Sequence, residues 1–261
     1  ASAPRALLHD FVVRVGSADR PDTLRTEIPV AAEPPRAVAA PVAPGRWVAV
    51  RGPSNGSGHR RALVVLAGKA RVPERFAVDW VRLGEDGRFF DGNPRDNPSW
   101  FGYDQPVRAV AAGEVVRVRD GLPEHAPLSQ DLATVSFTPE TVTGNTIVVD
   151  VGGGRFAVYA HLRPGSIAVA EGDRVEAGQE IGRIGNSGHS LAPHLHFHMQ
   201  DTPNPLAGDG LAFALRSFEL IGRLDSLPQA LNGVPWTPHP ARPARTVARE
   251  MPLENMVIEL R

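Results

Sequence analysis

The sequence predicts an all-β protein, an antiparallel β-sheet or barrel-sandwich-like domain with long loops and little helix. Three observations predict it. Short apolar runs alternating with polar residues recur along most of the chain, as at residues 107–111, 114–119, 146–151 and 155–161. Glycine-rich turns separate them, including GGG at 152–154 and GNSG at 185–188. Helical periodicity is scarce and points to one short helix within residues 211–223.

Composition narrows the class. A chain of 261 residues can build one large β domain with a small companion. With 28 Lys+Arg against 29 Asp+Glu, the formal net charge is −1, which gives no bulk attraction to nucleic acid or an anionic membrane. No run approaches the roughly 18 apolar residues of a membrane helix. Cysteine is absent, which excludes disulfides and thiolate-ligated metals and is compatible with an extracytoplasmic (periplasmic or secreted) setting. The chain begins at Ala1 without an initiator methionine and reads as a processed or trimmed form.

Residues 1–50 hold strand signals at 7–15 and 26–30 and then a Pro-rich connector, a segment too small for its own core and readable as the remnant of an accessory domain. Residues 51–230 form the main domain. Its first loop, RGPSNGSGHRR, ends near His59, and strands at 62–66 and 75–83 read as a hairpin that brings His59 and Asp79 to one end. Asp79 sits among Phe76, Val78 and Trp80, so its carboxylate needs a partner. The long loop 84–105 carries Trp100, Phe101 and Tyr103, suited either to substrate contact or to pinning the loop. After a second loop at 120–144, a hairpin ends at His161. Residues 231–261 are a Pro-rich tail with an edge strand at 255–260.

The chemistry gathers at two points. His194, His196 and His198 alternate with Leu195 and Phe197, so in a strand the three imidazoles share one face at roughly 6–7 Å spacing. One such histidine suits a half-exposed strand; three, with His161 apart, call for partners. A catalytic Zn²⁺ site takes three ligands from His, Asp or Glu and leaves a position for water. His59, Asp79 and His196 can supply those ligands. His161 and His194 can supply the bases, in either assignment of proton acceptor and donor. His198 either supports the site or faces solvent.

The motifs YAHL, GDRV-x-x-GQ-x-IG-x-x-GNSG and PHLHFH resemble the lysostaphin-type (LytM-like) zinc endopeptidases, over about residues 52–218. The resemblance implies a two-His-one-Asp zinc site on an antiparallel β scaffold and cleavage of peptide cross-links in bacterial peptidoglycan. It makes His196 and Asp79 ligands, and His194 and His161 catalytic. The family's HxxxD pattern would place the first ligand at position 75, which is Arg75; His59 takes that role through an inserted hairpin. The competing expectation is a catalytically silent relative that binds peptidoglycan or activates a hydrolase. EGDRVEAGQEIGRIG also resembles biotinyl or lipoyl carriers and histidine phosphocarriers; the former would need a lysine at the hairpin turn, where the sole lysine Lys69 does not lie, and the latter would not need Asp79.

Overall fold

The computed structural model describes residues 4–13, 22–30, 34–129, 138–241 and 243–261. The end of the predicted strand at 7–15 and residues 130–137 in the middle of the loop at 120–144 fall outside these residues. Two compact units are present, residues 1–36 and 37–261. In the first, β1 (Ala6–Val13) and β2 (Asp22–Pro29) form an antiparallel hairpin with Asp10 bridged to Arg25.

The second unit carries the site. In order it contains β3 (Arg36–Val38, begun in the first unit), β4 (Gly45–Val50), α1 (Gly58–Arg61), β5 (Val64–Leu66), β6 (Lys69–Arg71), β7 (Val78–Arg82), β8 (Pro106–Arg108), β9 (Gly113–Arg119) and β10 (Asn145–Asp150). There follow β11 (Phe156–Leu162), β12 (Arg174–Val175), β13 (Glu180–Arg183), β14 (Leu195–Gln200), β15 (Gly210–Leu211), β16 (Phe213–Arg223), α2 (Leu227–Leu231), β17 (Arg245–Glu250) and β18 (Met256–Leu260). The main sheet runs β12-β9-β10-β11-β14-β7-β4-β18-β16-β17. Its pairings are antiparallel, and the fold is all-β with two short α-helices among the described residues.

Alternation sorts the two faces. Trp47, Ala49, Val78, Trp80, Ala157, Tyr159, Leu195, Phe197 and Met199 join one hydrophobic core. The residues between them point the other way: Val48, Val50 and Val81 enter a second apolar cluster with Trp100, Ala192 and Trp236, and Asp79, His196 and His198 lie buried on that same face.

Three expectations are corrected. Residues 213–223 are the strand β16, because it pairs with both β17 and β18 and tertiary pairing overrides weak helical periodicity. The strand at 256–260 is interior rather than an edge, lying between β4 and β16. The strand after His59 pairs with β6 rather than β7, since Ala67 and Gly68 adopt left-handed φ and turn the chain after three residues. β7 is left free to pair with β4 and β14.

Candidate active site

His196 on β14 and Asp79 on β7 are register partners, and His196 Nδ1 lies 2.9 Å from Asp79 Oδ1. His59 arrives from α1, a single helical turn, with Nδ1–H donating to the Arg51 carbonyl at 3.0 Å. That fixes Nε2 as the ring's lone pair, 3.6 Å from Asp79 Oδ2. One donor atom from each of His59, Asp79 and His196 lies within 4.8 Å of the others, and all three residues are buried. Two imidazoles and a carboxylate at this separation are placed to hold a divalent cation.

The other histidines close around this group. His194 Nδ1–H donates to the Ala192 carbonyl at 2.7 Å, and its Nε2 lies 3.3 Å from Asp79 Oδ1. His161 Nδ1–H donates to the Ser187 carbonyl at 2.8 Å. Its ring centroid is 4.9 Å from that of His194 and 5.7 Å from that of His196.

The position of His161 depends on a bulge. Strict alternation from Tyr159 would send His161 to the hydrophobic core. Instead the β10–β11 register slips by one residue, with Ile147 opposite Tyr159 but Asn145 opposite Leu162. His161 takes φ +63°, so Ala160 and His161 both face the site and Leu162 returns to the core.

His198 is fully buried. When His196 Nε2–H donates to His198 Nδ1, 3.0 Å away, His198 Nε2–H is left to donate to Gln200 Oε1 at 3.3 Å. The Gln200 amide in turn donates to the carbonyls of Thr202 and Asn204 at 2.7 and 2.6 Å. This chain places the proton of neutral His196 on Nε2, so Nδ1, which faces Asp79 and His59, is the nitrogen a metal would take. Two participants escaped the sequence reading. Gln200 is the next same-face position after His198, so alternation could have found it. Glu74, with Oε1 3.7 Å from His196 Nε2, carries no sequence signal.

Electrostatics follow from burial. Burial pushes the Asp79 carboxyl up, but the imidazoles of His59 and His194 outweigh it and hold the group well below the usual carboxylate range. Burial lowers His59, and lowers His161 strongly with help from His194 and His196. His198 is pushed down to about 3, by burial first and His196 second. His196 is raised: burial acts downward, but Asp79 and Glu74 prevail. The group opens into a cleft of about 280 Å³, which Trp100 and α2 help to line. Trp100 also anchors the 84–105 loop by its burial in the second apolar cluster, and its Nε1–H donates within the loop to the Pro94 carbonyl at 3.0 Å.

Residues 101–207 match Peptidase family M23. The DD-carboxypeptidase/endopeptidase Mpg of Neisseria meningitidis serogroup B is 31% identical over 107 residues, 36% of this chain and 23% of that protein. The glycyl-glycine endopeptidase ALE-1 of Staphylococcus capitis is 56% identical over 39 residues, 15% of this chain and 10% of that protein. The chain thus spans less than a quarter of either relative. Among solved structures, the catalytic domain of the prophage-encoded M23 protein EnpA from Enterococcus faecalis aligns at 18% identity and TM-score 0.38, over 64% of this chain and 88% of that one. The lysostaphin catalytic domain from Staphylococcus simulans aligns at 21% identity and TM-score 0.33 over the same shares. His59 and Asp79 lie before the matched residues, whereas His161, His194 and His196 lie within the 107 residues that match the Peptidase family M23 model.

Proposed function

We propose that the protein is a zinc endopeptidase that hydrolyses peptide cross-links of bacterial peptidoglycan outside the cytoplasm. The observation that carries this reading is the convergence of His59, Asp79 and His196 on one point, with His161 and His194 beside it. The donor set suits zinc: two imidazoles and one carboxylate, with room in the cleft for water and substrate.

His59, Asp79 and His196 would hold the ion, His59 through Nε2 and His196 through Nδ1. A bound Zn²⁺ supplies Lewis acidity that polarises a peptide carbonyl and acidifies water. The chain's own groups do the rest. Burial keeps His161 neutral at pH 7, with Nδ1–H spent on Ser187, so Nε2 is a proton acceptor. His194, oriented by Ala192, presents Nε2 beside Asp79, where it can stabilise developing negative charge or protonate the leaving amine. The His198–Gln200 chain keeps the His196 ring in the ligating tautomer.

Metal analysis of the purified protein and of His59→Ala, Asp79→Ala and His196→Ala, with turbidity clearing of purified peptidoglycan, tests the reading. Near-stoichiometric zinc in the parent, lost in all three variants together with chelator-sensitive clearing, is expected. A parent that takes up no zinc when it is added back would sink the enzyme reading in favour of a silent binding or activating domain.

A further inference from the structure

Val50, Val81, Trp100, Ala192, Leu227 and Leu231 line the cleft that holds His59, Asp79, His161, His194 and His196, and the same six belong to or pack against one apolar cluster. The rim of a hydrophobic core is therefore open to the reacting centre. Part of this wall comes from α2. Ser226 caps that helix by accepting from Gln229 N–H, and Leu227 and Leu231, four residues apart, share its face. Both leucines are only partly buried, so their side chains are accessible to a ligand. They also lie beyond residues 101–207, so the wall is completed by sequence outside the family segment.

Glycine beside the scissile bond would leave this wall wet. A branched aliphatic side chain would cover it and gain by burial, about one order of magnitude or more in discrimination for several methylenes. We infer that the α2-walled cleft is a subsite for an aliphatic side chain flanking the scissile bond, so that cross-links carrying such a side chain at the cut are preferred over glycine runs, with leucine as the probe of that preference. This inference rests on the peptidase reading for its catalytic consequence but not for the binding itself.

Two measurements on the full chain separate the two claims. In the metal-free protein, N-acetyl-leucine amide and N-acetyl-glycine amide are titrated with NMR detection. In the zinc-loaded protein, kcat/KM is measured for pentaglycine and for peptides with leucine on either side of the cut. Expected is tighter binding of the leucine amide, at least tenfold higher kcat/KM for a leucine peptide, and loss of most of that preference in Leu231→Ala and Leu227→Ala with zinc content unchanged. Using both variants guards against one that misfolds. Equal affinity for the two amides, or a preference for pentaglycine, overturns the subsite while leaving the peptidase intact. Selective leucine binding with cleavage neither of these peptides nor of purified peptidoglycan supports the subsite and overturns the peptidase reading.

Discussion

His196 and Asp79 face each other across β14 and β7 as direct register partners, Nδ1 to Oδ1 at 2.9 Å. The backbone ladder itself sets the spacing of two proposed ligands. Only His59, on the helical turn α1, comes from outside the sheet. The Arg51 carbonyl anchors it, so His59→Ala should empty the site without disturbing the β7–β14 ladder. Far-UV circular dichroism close to the parent together with lost zinc is the expected pair of results; a collapsed spectrum would contradict this division of labour.

His161→Ala and His194→Ala should keep zinc and lose roughly 10²–10⁴-fold in kcat, the usual worth of a positioned acid or base. Parallel metal analysis and turnover on one preparation check this. Full activity in either variant would remove that residue from the mechanism.

Buried histidines set the acid sensitivity of the metal-free protein. His59, His161 and His198 have folded-state pKa values below the unfolded value of about 6.5. Their stabilisation is complete above that value and is lost as pH falls through it toward the folded values, about 3 for His198. Asp79, also lowered, loses its contribution only below its unfolded value of about 3.9. His196 acts oppositely, contributing below about 6.5 and ceasing to contribute as pH rises through its raised value. Three groups outweigh one, each worth up to about 1.4 kcal/mol per pH unit. The Tm of metal-free protein should fall between pH 7 and 5, and His198→Gln should flatten the fall. A flat profile in the parent would show that these imidazoles are not held neutral.

Gly188 has φ +70°, and a Cβ there would lie 2.3 Å from the Gly144 nitrogen. Since the neighbouring Ser187 carbonyl accepts from His161, Gly188→Ala should cost about 2 kcal/mol or more, through strain and clash. It should lower turnover further by shifting His161. Urea unfolding and activity measured together test this; parent-like values in both would show that the loop yields freely.

Much of this site could be read from the chain because strand alternation is a strict rule. It placed His194, His196 and His198 on one face, and it would have reached Gln200. His161 was picked out for its position after an alternating run, yet alternation alone would have buried it with Tyr159. The bulge that rescues it depends on pairing with Asn145 and Leu162, which no local pattern encodes. Glu74 was invisible because a lone glutamate in a turn looks like any surface carboxylate. The strand at 213–223 was misread because its identity comes from β17 and β18, far along the chain.

A chain ending at Asn255 should not fold. It would lack Val257, Ile258 and Leu260, all buried and each worth about 1.5–3 kcal/mol, a sum comparable to the whole stability of a typical domain. Near-UV circular dichroism would report the loss; a native-like spectrum would mean that β4 and β16 close without β18.

The interior position of β18 also has a consequence in time. Val257 pairs with Val48, so that ladder closes across most of the sequence. Such distant pairings form slowly. Until β18 arrives, β4 on one side and β16 on the other present open hydrogen-bonding edges, the template on which nascent chains cross-pair. β4 is also the strand that braces Asp79 through Val50. During synthesis, the centre proposed to hydrolyse peptides is therefore among the last parts of the molecule to become rigid, a delay that would keep the chain inactive while it is being made.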